Sequence, residues 1–378
     1  SWGESTFIGN SINSINPVDA AAFRRPGAEI KEGLIPVNML YVSQSLTDSL
    51  SMEAFYQLEW DQTILDNCGT FFSGSDTAAD GCEDRLVIGG AGGDVAPGES
   101  NNTGAPGNPV YIPRAGDRDA RDDGQFGVAL RWFAESLNDT EFGLYAMNYH
   151  SRTPSGSFII TSNGTPQAAR YFLEYPEDIR LYGLSFQSNV GGTALSGEIS
   201  YRPNMPIGIN STDLTFASLG SGTSPVFTSG HAAPVLGGDI QGYVRKPFTQ
   251  AQVSAVQFFD RVLGASRLTL VGEVGYNHIS GISDDTGELR FGRDPVFGFG
   301  EISNNAVCRA GLNAANPDQC NDDGFFTSSS WGYRLRASAD YSNVIAGINL
   351  TPNLAWSHDV DGYGPNFNEG SKAISVGL

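Results

Sequence analysis

The sequence predicts an all-β protein: a transmembrane, antiparallel, up-and-down β-barrel with long external loops. Two patterns along the chain predict this fold. About eleven segments alternate apolar with polar residues at a period of two, which gives each strand two unlike faces. The links between these segments are alternately short and long without exception, as periplasmic turns and external loops are in an outer-membrane barrel. Single-chain bacterial barrels have even strand numbers, so we expect roughly 12 to 18 strands in the whole protein.

The alternating segments are the predicted strands. They cover residues 36–46, 50–60, 125–133, 141–150, 179–187, 193–202, 251–262, 267–277, 331–341, 344–357 and 373–378. The predicted short links are 47–49, 134–140, 188–192, 263–266 and 342–343, and the long ones are 61–124, 151–178, 203–250, 278–330 and 358–371. Within segment 50–60 Phe55 breaks the alternation, and segment 251–262 does not establish which of its faces is apolar.

The segment "WGYRLRASADY" (331–341) shows what the alternation implies. One face carries Trp331, Tyr333 and Leu335, and the other carries arginines and an aspartate. In a soluble sandwich the apolar face would be the core, whereas in a membrane barrel it would face lipid. Long links without structure of their own fit poorly into a compact soluble domain, which favours the barrel. The alternative is a large secreted sandwich.

Composition narrows the class of protein. The chain has 378 residues with 42 acidic and 22 basic side chains, a net charge of −20, which argues against nucleic-acid binding because that needs a basic footprint. No apolar run reaches the roughly 18 residues of a transmembrane helix. The chain starts at Ser1 and ends in the strand-like "KAISVGL". We therefore expect a single barrel domain over 1–378 that is part of a longer chain.

Charged residues on the polar faces are the predicted lining of the lumen. They have nearly balanced signs, so we expect an ion-pair lattice that stiffens the wall, with ion selectivity as the alternative. The set is Glu53, Glu59, Arg131, Arg180, Glu198, Arg202, Glu273, Arg334, Arg336 and Asp340.

The stretch "INPVDAAAFRRPGAEIKEG" (15–33) does not alternate. Asn16 is suited to cap a helix, Pro17 suits the first helical position and Pro26 stops it, so a short helix around 17–24 is predicted. One interpretation makes 15–33 a plug that narrows the pore, with Arg24 and Arg25 meeting luminal carboxylates. The other makes it a helix in an external loop. The sequence does not decide between them.

The four cysteines fall into two close pairs in long links. The local pairing, Cys68 with Cys82 and Cys308 with Cys320, needs the least rearrangement of the chain and fits an oxidising compartment. Neither pair has the spacing of a zinc site.

Acidic clusters occur in the long links "GDRDARDDGQ" (116–125) and "NPDQCNDDG" (316–324). Calcium prefers carboxylate oxygens, and a weak calcium hypothesis rests on Asp117, Asp119, Asp122 and Asp123. Solvated acids, or acids bridged to lipopolysaccharide by divalent ions, are the alternative. We expect no other cofactor.

Catalysis finds little support in the sequence. His150 and Ser151 are adjacent, but neighbouring residues in a strand point to opposite faces, which is a poor arrangement for Ser–His chemistry. There is no G-x-S-x-G, H-E-x-x-H or P-loop motif. We therefore expect a protein that is not an enzyme.

Long stretches of the chain resemble a Gram-negative family catalogued as domain of unknown function 1302. The most specific part is "SWGESTFIGNSINSINPVDAAAFRRPGAEIKEGLIPVNML", followed by "SLSMEAFYQLEWDQTILDNCGTFFSGSD", "DDGQFGVALRW", "EFGLYAMNYHSRTP", "YPEDIRLYGLSFQSNVGGTALSGEISYRPNMP" and "VGEVGYNH". The resemblance implies an outer-membrane β-barrel. It also implies association with a lipoprotein partner and an inner-membrane exporter of the resistance-nodulation-division type.

These expectations together predict a function. We expect a non-catalytic, porin-like channel or transport-associated barrel for a hydrophobic or amphipathic small molecule, in contact with outer-membrane lipid and lipopolysaccharide. The alternative is a structural or surface-interaction barrel with a closed lumen, whose external loops bind a partner.

Overall fold

The computed structural model describes residues 2–24, 29–67, 70–71, 77–79, 85–89, 110–160, 169–282, 288–294, 298, 300, 308–309 and 316–378. In these ranges the chain forms one large sheet of 12 strands, a 3-stranded sheet and a 2-stranded ladder. Among the described residues, no helix is long and apolar enough to cross a bilayer.

The strands and α-helices follow one another in chain order. They are β1 (Met39–Ser45), β2 (Leu50–Gln57), β3 (Arg85–Gly89), β4 (Val110–Pro113), β5 (Phe126–Ala134), β6 (Thr140–Tyr149), β7 (Ser155–Ile159), β8 (Arg170–Glu174), β9 (Ile179–Val190), β10 (Thr193–Gly208), α1 (Ser211–Ser218), α2 (Pro225–Thr228), β11 (Asp239–Ile240), β12 (Tyr243–Asp260), β13 (Arg267–Ile279), β14 (Ser329–Ile345), β15 (Ile348–Leu350), β16 (Asn353–Asp361) and β17 (Lys372–Gly377). The large sheet runs β1-β2-β5-β6-β9-β10-β12-β13-β14-β16-β17, and β15 pairs with β14.

All pairings in the large sheet are antiparallel between neighbours in chain order, which is the predicted up-and-down topology. Five strands, β9, β10, β12, β13 and β14, are longer than their sequence patterns indicated, whereas β1, β2 and β16 are shorter. β9 and β10 are joined by Gly191 and Gly192 alone, both at positive φ, as a two-residue hairpin turn requires. The predicted link 342–343 lies inside β14, and 203–208 and 243–250 belong to β10 and β12.

The apolar face of the sheet is exposed and its polar face is buried, which is the reverse of a soluble protein. Outward apolar side chains such as Leu184 (55% exposed) and Val253 (51%) are open to the surroundings. Inward Ser200 and Gln250 are 0% exposed. A sheet that buries polar groups and exposes an apolar band has the organisation of an outer-membrane barrel wall, not of a soluble sandwich. The predicted fold class is confirmed.

The large sheet is not closed. Among the described residues, no pairing joins β1 to β17. Because the strand direction alternates along the eleven-strand path, β1 and β17 run in the same direction.

The long links carry more structure than the sequence indicated. β7, β8 and β11 form the 3-stranded sheet, and β3 pairs with β4. With α1 and α2 they pack around an apolar cluster, here the cap core, that also includes the inward-facing Ile207, Phe248 and Ile279 at the ends of β10, β12 and β13. A packed core within the links explains why a compact protein accommodates connections of this length.

The predicted helix near 17–24 is present in a shorter form. It is a 3₁₀-helix over Ala20–Arg24, followed by a second over Ile30–Glu32. The predicted cap at Asn16 is wrong, because its side-chain amide donates to the carbonyl of Ile35 at 3.1 Å. Asp19 does the capping, since its carboxylate accepts the backbone N–H of Ala21 at 2.9 Å.

Candidate functional site

The N-terminal residues 2–16, here the plug segment, lie in the lumen against the inward faces of the large sheet. Their contacts reach strands from β2 to β13. Ile8, Ile12 and Ile15 of the segment are buried, as is Trp2. Most of the polar contacts go to its backbone.

Glu273 on β13 binds three consecutive backbone amides of the plug segment. Its carboxylate accepts the N–H of Thr6 at 2.9 Å, of Phe7 at 2.6 Å and of Ile8 at 2.8 Å. Ser254 on β12 donates its hydroxyl to the same carboxylate at 3.0 Å. Hydrogen bonds to a charged acceptor are the stronger class, and a buried carboxylate needs them.

Glu198 on β10 binds the segment in the same way. It accepts the backbone N–H of Glu4 and, at 3.4 Å, that of Ile12. Gln252 on β12 donates one amide proton to Glu198 at 3.1 Å and one to the carbonyl of Ile8 at 3.3 Å. The wall therefore binds both donors and acceptors of the plug backbone.

Arg202 and Gln250 bind the carbonyls that follow. The Gln250 side chain donates to the carbonyl of Gly9 at 2.9 Å. Arg202 is fully buried and donates to the carbonyls of Asn10 and Ser11 at 2.6 and 2.9 Å. No carboxylate pairs with Arg202 among the described residues, so the plug carbonyls are what this buried cation binds.

The other side of the lumen carries most of its apolar side chains. Trp2 packs on Phe55 and Tyr145, with ring centroids 5.0 and 5.7 Å apart, and its indole N–H donates to Glu53 at 2.6 Å. This contact explains why Phe55 breaks the alternation of β2. The remaining wall residues of this cluster are Ala129, Met147, Tyr149, Ile179 and Leu181.

Two inward glycines admit the isoleucines of the plug segment. A Cβ at Gly183 on β9 would lie 2.7 Å from Cδ1 of Ile12, and a Cβ at Gly275 on β13 would lie 2.8 Å from Cδ1 of Ile8. Both distances are shorter than van der Waals contact, so a side chain at either position would force the isoleucine that packs there to move. The wall is shaped for the segment it holds.

Arg131 on β5 lies in an acidic group beside the segment. Its guanidinium is 3.1 Å from Glu141, 3.5 Å from Glu53 and 3.9 Å from Glu4. Three carboxylates around one cation leave the lumen negative at this level.

The lumen is thus two-sided. Strands β2, β5, β6 and β9 present aromatic and aliphatic side chains beside the charged group around Arg131, and β10, β12 and β13 present carboxylates, amides and a guanidinium. The plug segment lies between them with apolar side chains on one side and its backbone polar groups on the other. A site of this kind suits an amphipathic occupant.

A protein-family model described as "Protein of unknown function (DUF1302)" matches residues 1–378, the whole chain. The chain belongs to the DUF1302 family. No protein in the curated set matches it. It is similar to the crystal structure of the outer membrane channel DcaP of Acinetobacter baumannii, at 10% identity, over 98% of this chain and 66% of that one. The TM-score is 0.34, and a likeness at this level supports no inference about fold or function.

In this DUF1302 chain the other predicted luminal charges lie apart from the plug segment. Arg334 pairs with Asp359 at 2.6 Å and Arg336 lies 3.7 Å from Glu29. Asp340 accepts the hydroxyl of Thr351 at 3.2 Å.

Two of the predicted luminal charges do not line the wall at the plug. Glu59 lies beyond the end of β2 and accepts the backbone N–H of Asn38 at 3.1 Å. The luminal assignment of Arg180 is wrong: it shares the exposed face of β9 with Tyr182. The period-two pattern itself places Arg180 on that face.

The segment that fills the lumen is not the one that the plug interpretation of the sequence named. The plug hypothesis named 15–33, whereas residues 2–16 make the contacts described above and the two overlap only at Ile15 and Asn16. The backbone of Arg24 ends the 3₁₀-helix, and Arg25 lies outside the described residues, so the predicted contacts of these two arginines are not part of the described structure.

The calcium hypothesis is not supported. Asp117 pairs with Arg114 at 2.5 Å, Asp123 lies 2.9 Å from Arg121, and Asp122 accepts the backbone N–H of Trp60. Asp119 is exposed. Across the described part of the chain, no group of three or more His, Cys, Asp or Glu is placed to hold a metal ion.

The disulfide prediction is confirmed where the structure describes it. Cys308 and Cys320 are bonded, with Cα atoms 5.9 Å apart. Cys68 and Cys82 lie outside the described residues.

Sequence reasoning missed the plug segment and the amides that bind it. Gln250 and Gln252 are buried on the inward face, but the sequence pattern places Gln250 in a predicted link and does not establish which face of 251–262 is apolar. The usable signal was in "SWGESTFIGNSINSIN", where Ile8, Ile12 and Ile15 stand in a Ser/Asn/Gly-rich stretch without strand alternation.

Proposed function

We propose that this DUF1302 protein is an outer-membrane channel, or a barrel associated with transport, that passes an amphipathic small molecule. The observation that carries the proposal is the two-sided lumen, apolar at Phe55, Tyr145 and Leu181 and polar at Glu198 and Glu273. Both halves of an amphipathic molecule would find matching groups there, whereas a simple porin would need only a polar lining.

The same sheet supports an outer-membrane location. Its outward side chains form an apolar band that would be costly in water, and its strands satisfy one another's backbone groups along the path. A bilayer is the environment that makes this arrangement stable.

The proposed mechanism is non-catalytic. His150 is held by backbone groups, because its Nδ1 accepts the N–H of Asp178 at 3.0 Å while Nε2 lies 2.8 Å from the carbonyl of Asp123. The Ser151 hydroxyl donates to the carbonyl of Thr153 at 2.7 Å. This engagement supports a structural role for both residues. In the proposed mechanism the plug segment leaves the lumen, and this displacement opens the channel.

The test compares the intact chain with a variant lacking residues 2–16 in planar bilayers and liposomes. We expect the intact chain to be closed and the deletion variant to conduct ions and to pass an amphipathic fluorescent probe. A matched deletion of the same length within 19–33 should leave the channel closed.

A reversible disulfide crosslink tests, in the intact chain, whether displacement of the plug segment opens the channel. The hydroxyls of Ser11 and Ser200 are 3.1 Å apart, so cysteines at both positions would crosslink the plug to β10. Oxidation should abolish transport in cells and reduction should restore it, while each single cysteine variant behaves as wild type. A deletion variant that stays closed would contradict the channel proposal and favour the surface-interaction barrel, whose external loops would then bind the partner.

A further inference from the structure

The wall recognises the backbone of the plug segment more than its side chains. Over seven consecutive residues, amide N–H groups go to carboxylates and carbonyls go to amide or guanidinium donors. The pairs are Thr6, Phe7 and Ile8 N–H to Glu273, Ile8 C=O to Gln252, Gly9 C=O to Gln250, Asn10 and Ser11 C=O to Arg202, and Ile12 N–H to Glu198. Such a series of donors and acceptors would bind any chain of amides that follows the same path.

The same inward face carries further donors and acceptors that the plug segment leaves unpaired. Within the described structure, Nε and Nη1 of Arg202, Oε1 of Gln250 and both amide atoms of Asn277 are buried without a hydrogen-bond partner. Gln250 and Asn277 are directly opposite in the pairing of β12 with β13, and Arg202 lies one step further along the same inward face on β10. Donors and acceptors at adjacent positions are suited to another amide group.

We propose that the plug segment occupies the ligand site of the lumen, and that the ligand is an amide-bearing amphipath, such as an acylated short peptide. Its N–H groups would bind Glu198 and Glu273, its carbonyls would bind Gln250, Gln252 and Arg202, and its acyl chain would lie where Trp2 and Ile12 pack. The inference rests on the proposed function and narrows it, because it names the chemistry that displaces the plug.

The test uses the full chain lacking residues 2–16, in lipid nanodiscs, and a fluorescent synthetic peptide of residues 2–16. Fluorescence anisotropy should show that the peptide binds. Replacing the amide at Ile8 by an ester removes one N–H to Glu273, and should weaken binding about tenfold or more, as expected for one hydrogen bond to a charged group. The same replacement at Ile15 is the matched control, because its N–H contacts none of these wall residues, and should leave binding unchanged.

Two further comparisons complete the test. Glu273→Gln should weaken binding of the amide peptide and should reduce the difference between it and the Ile8 ester, because a neutral acceptor replaces the carboxylate, whereas Glu135→Gln in the exposed β5–β6 turn should change neither. An N-dodecanoyl dipeptide amide should displace the peptide, and methyl dodecanoate should not.

The inference is overturned if the peptide fails to bind, if the Ile8 ester binds as tightly as the amide, or if methyl dodecanoate competes equally. Failure of the proposed function is seen separately, as absence of conductance in the same variant. Should the deletion variant not fold, a protease site inserted between Asn16 and Pro17 of the intact chain would give the same empty lumen after cleavage and dilution.

Discussion

The carboxylate of Glu273 accepts the backbone N–H of Phe7 at 2.6 Å, across 266 residues of sequence, and binds the amides on either side as well. One buried side chain therefore satisfies three donors that an extended segment would otherwise leave unpaired. Without this acceptor the segment would leave three amide donors unpaired, and without the segment the buried carboxylate would keep only the Ser254 hydroxyl of the four described donors. Because the segment and the carboxylate satisfy each other, we expect a substitution at this contact to open the lumen.

Replacing Glu273 should release the plug segment. In Glu273→Gln a single neutral acceptor replaces a carboxylate that binds three amides, so we expect hydrogen exchange at Thr6, Phe7 and Ile8 to speed up by about tenfold or more. Exchange measured by mass spectrometry on peptides from residues 2–16 would show it. Glu135→Gln is the control. Unchanged exchange in the Glu273 variant would mean that the apolar contacts alone hold the segment.

Filling the space at Gly275 should also expel the segment. In Gly275→Ala the new methyl group would lie 2.8 Å from Cδ1 of Ile8 and 3.1 Å from the ring of Phe367, so Ile8 is the closer contact, and overpacking of this kind costs about 1–3 kcal/mol. Gly272→Ala is the matched control, because its Cβ would meet only Leu335 on the outward face. Protease cleavage within residues 2–16 should accelerate in the first variant alone. Adding Ile8→Ala should reverse the effect, and no reversal would mean that the damage lies elsewhere in β13.

The barrel wall was predictable from the sequence because apolar and polar residues alternate along each strand and so assign its two faces. Trp331, Leu335, Arg334 and Arg336 lie on the faces that the alternation assigns to them. The plug was not predictable, because its contacts join Thr6 to Glu273 and Ser11 to Ser200 through the fold and leave no local periodicity. The charges of the arginines in 15–33 indicated contacts with luminal carboxylates. The wall instead binds backbone groups, which every sequence has.

Acidification should lower the stability that Asp178 contributes in the loop that precedes β9. Burial acts to raise the pKa of Asp178, but hydrogen bonds from Arg121 at 2.7 Å and Asn148 at 2.9 Å outweigh it and hold the pKa below its ordinary value. The folded state thus holds this proton less tightly than the unfolded chain does. Asp178 stabilises the fold above the unfolded pKa of about 3.9, and this contribution is lost as pH falls through the lower folded value.

Thermal unfolding of Asp178→Asn and wild type would check this pH dependence. The variant should be less stable at pH 7, by a small amount because Asp178 is half exposed. The difference should shrink as the pH falls below about 4. Asp48→Asn in the exposed β1–β2 turn is the control. A difference that stays constant down to pH 3 would mean that the pair with Arg121 contributes nothing.

Breaking the Cys308–Cys320 disulfide should destabilise the long link without opening the lumen. The bond closes a loop with a sequence separation of 12, and removing a crosslink of this length costs about 3 kcal/mol through the entropy of the unfolded chain. We expect Cys308→Ala with Cys320→Ala to unfold at lower denaturant concentration. Hydrogen exchange at Thr6–Ile8 should not change, because the plug is held by β10, β12 and β13. If hydrogen exchange at Thr6–Ile8 also accelerates, the long link and the plug segment move together, and opening of the lumen involves both.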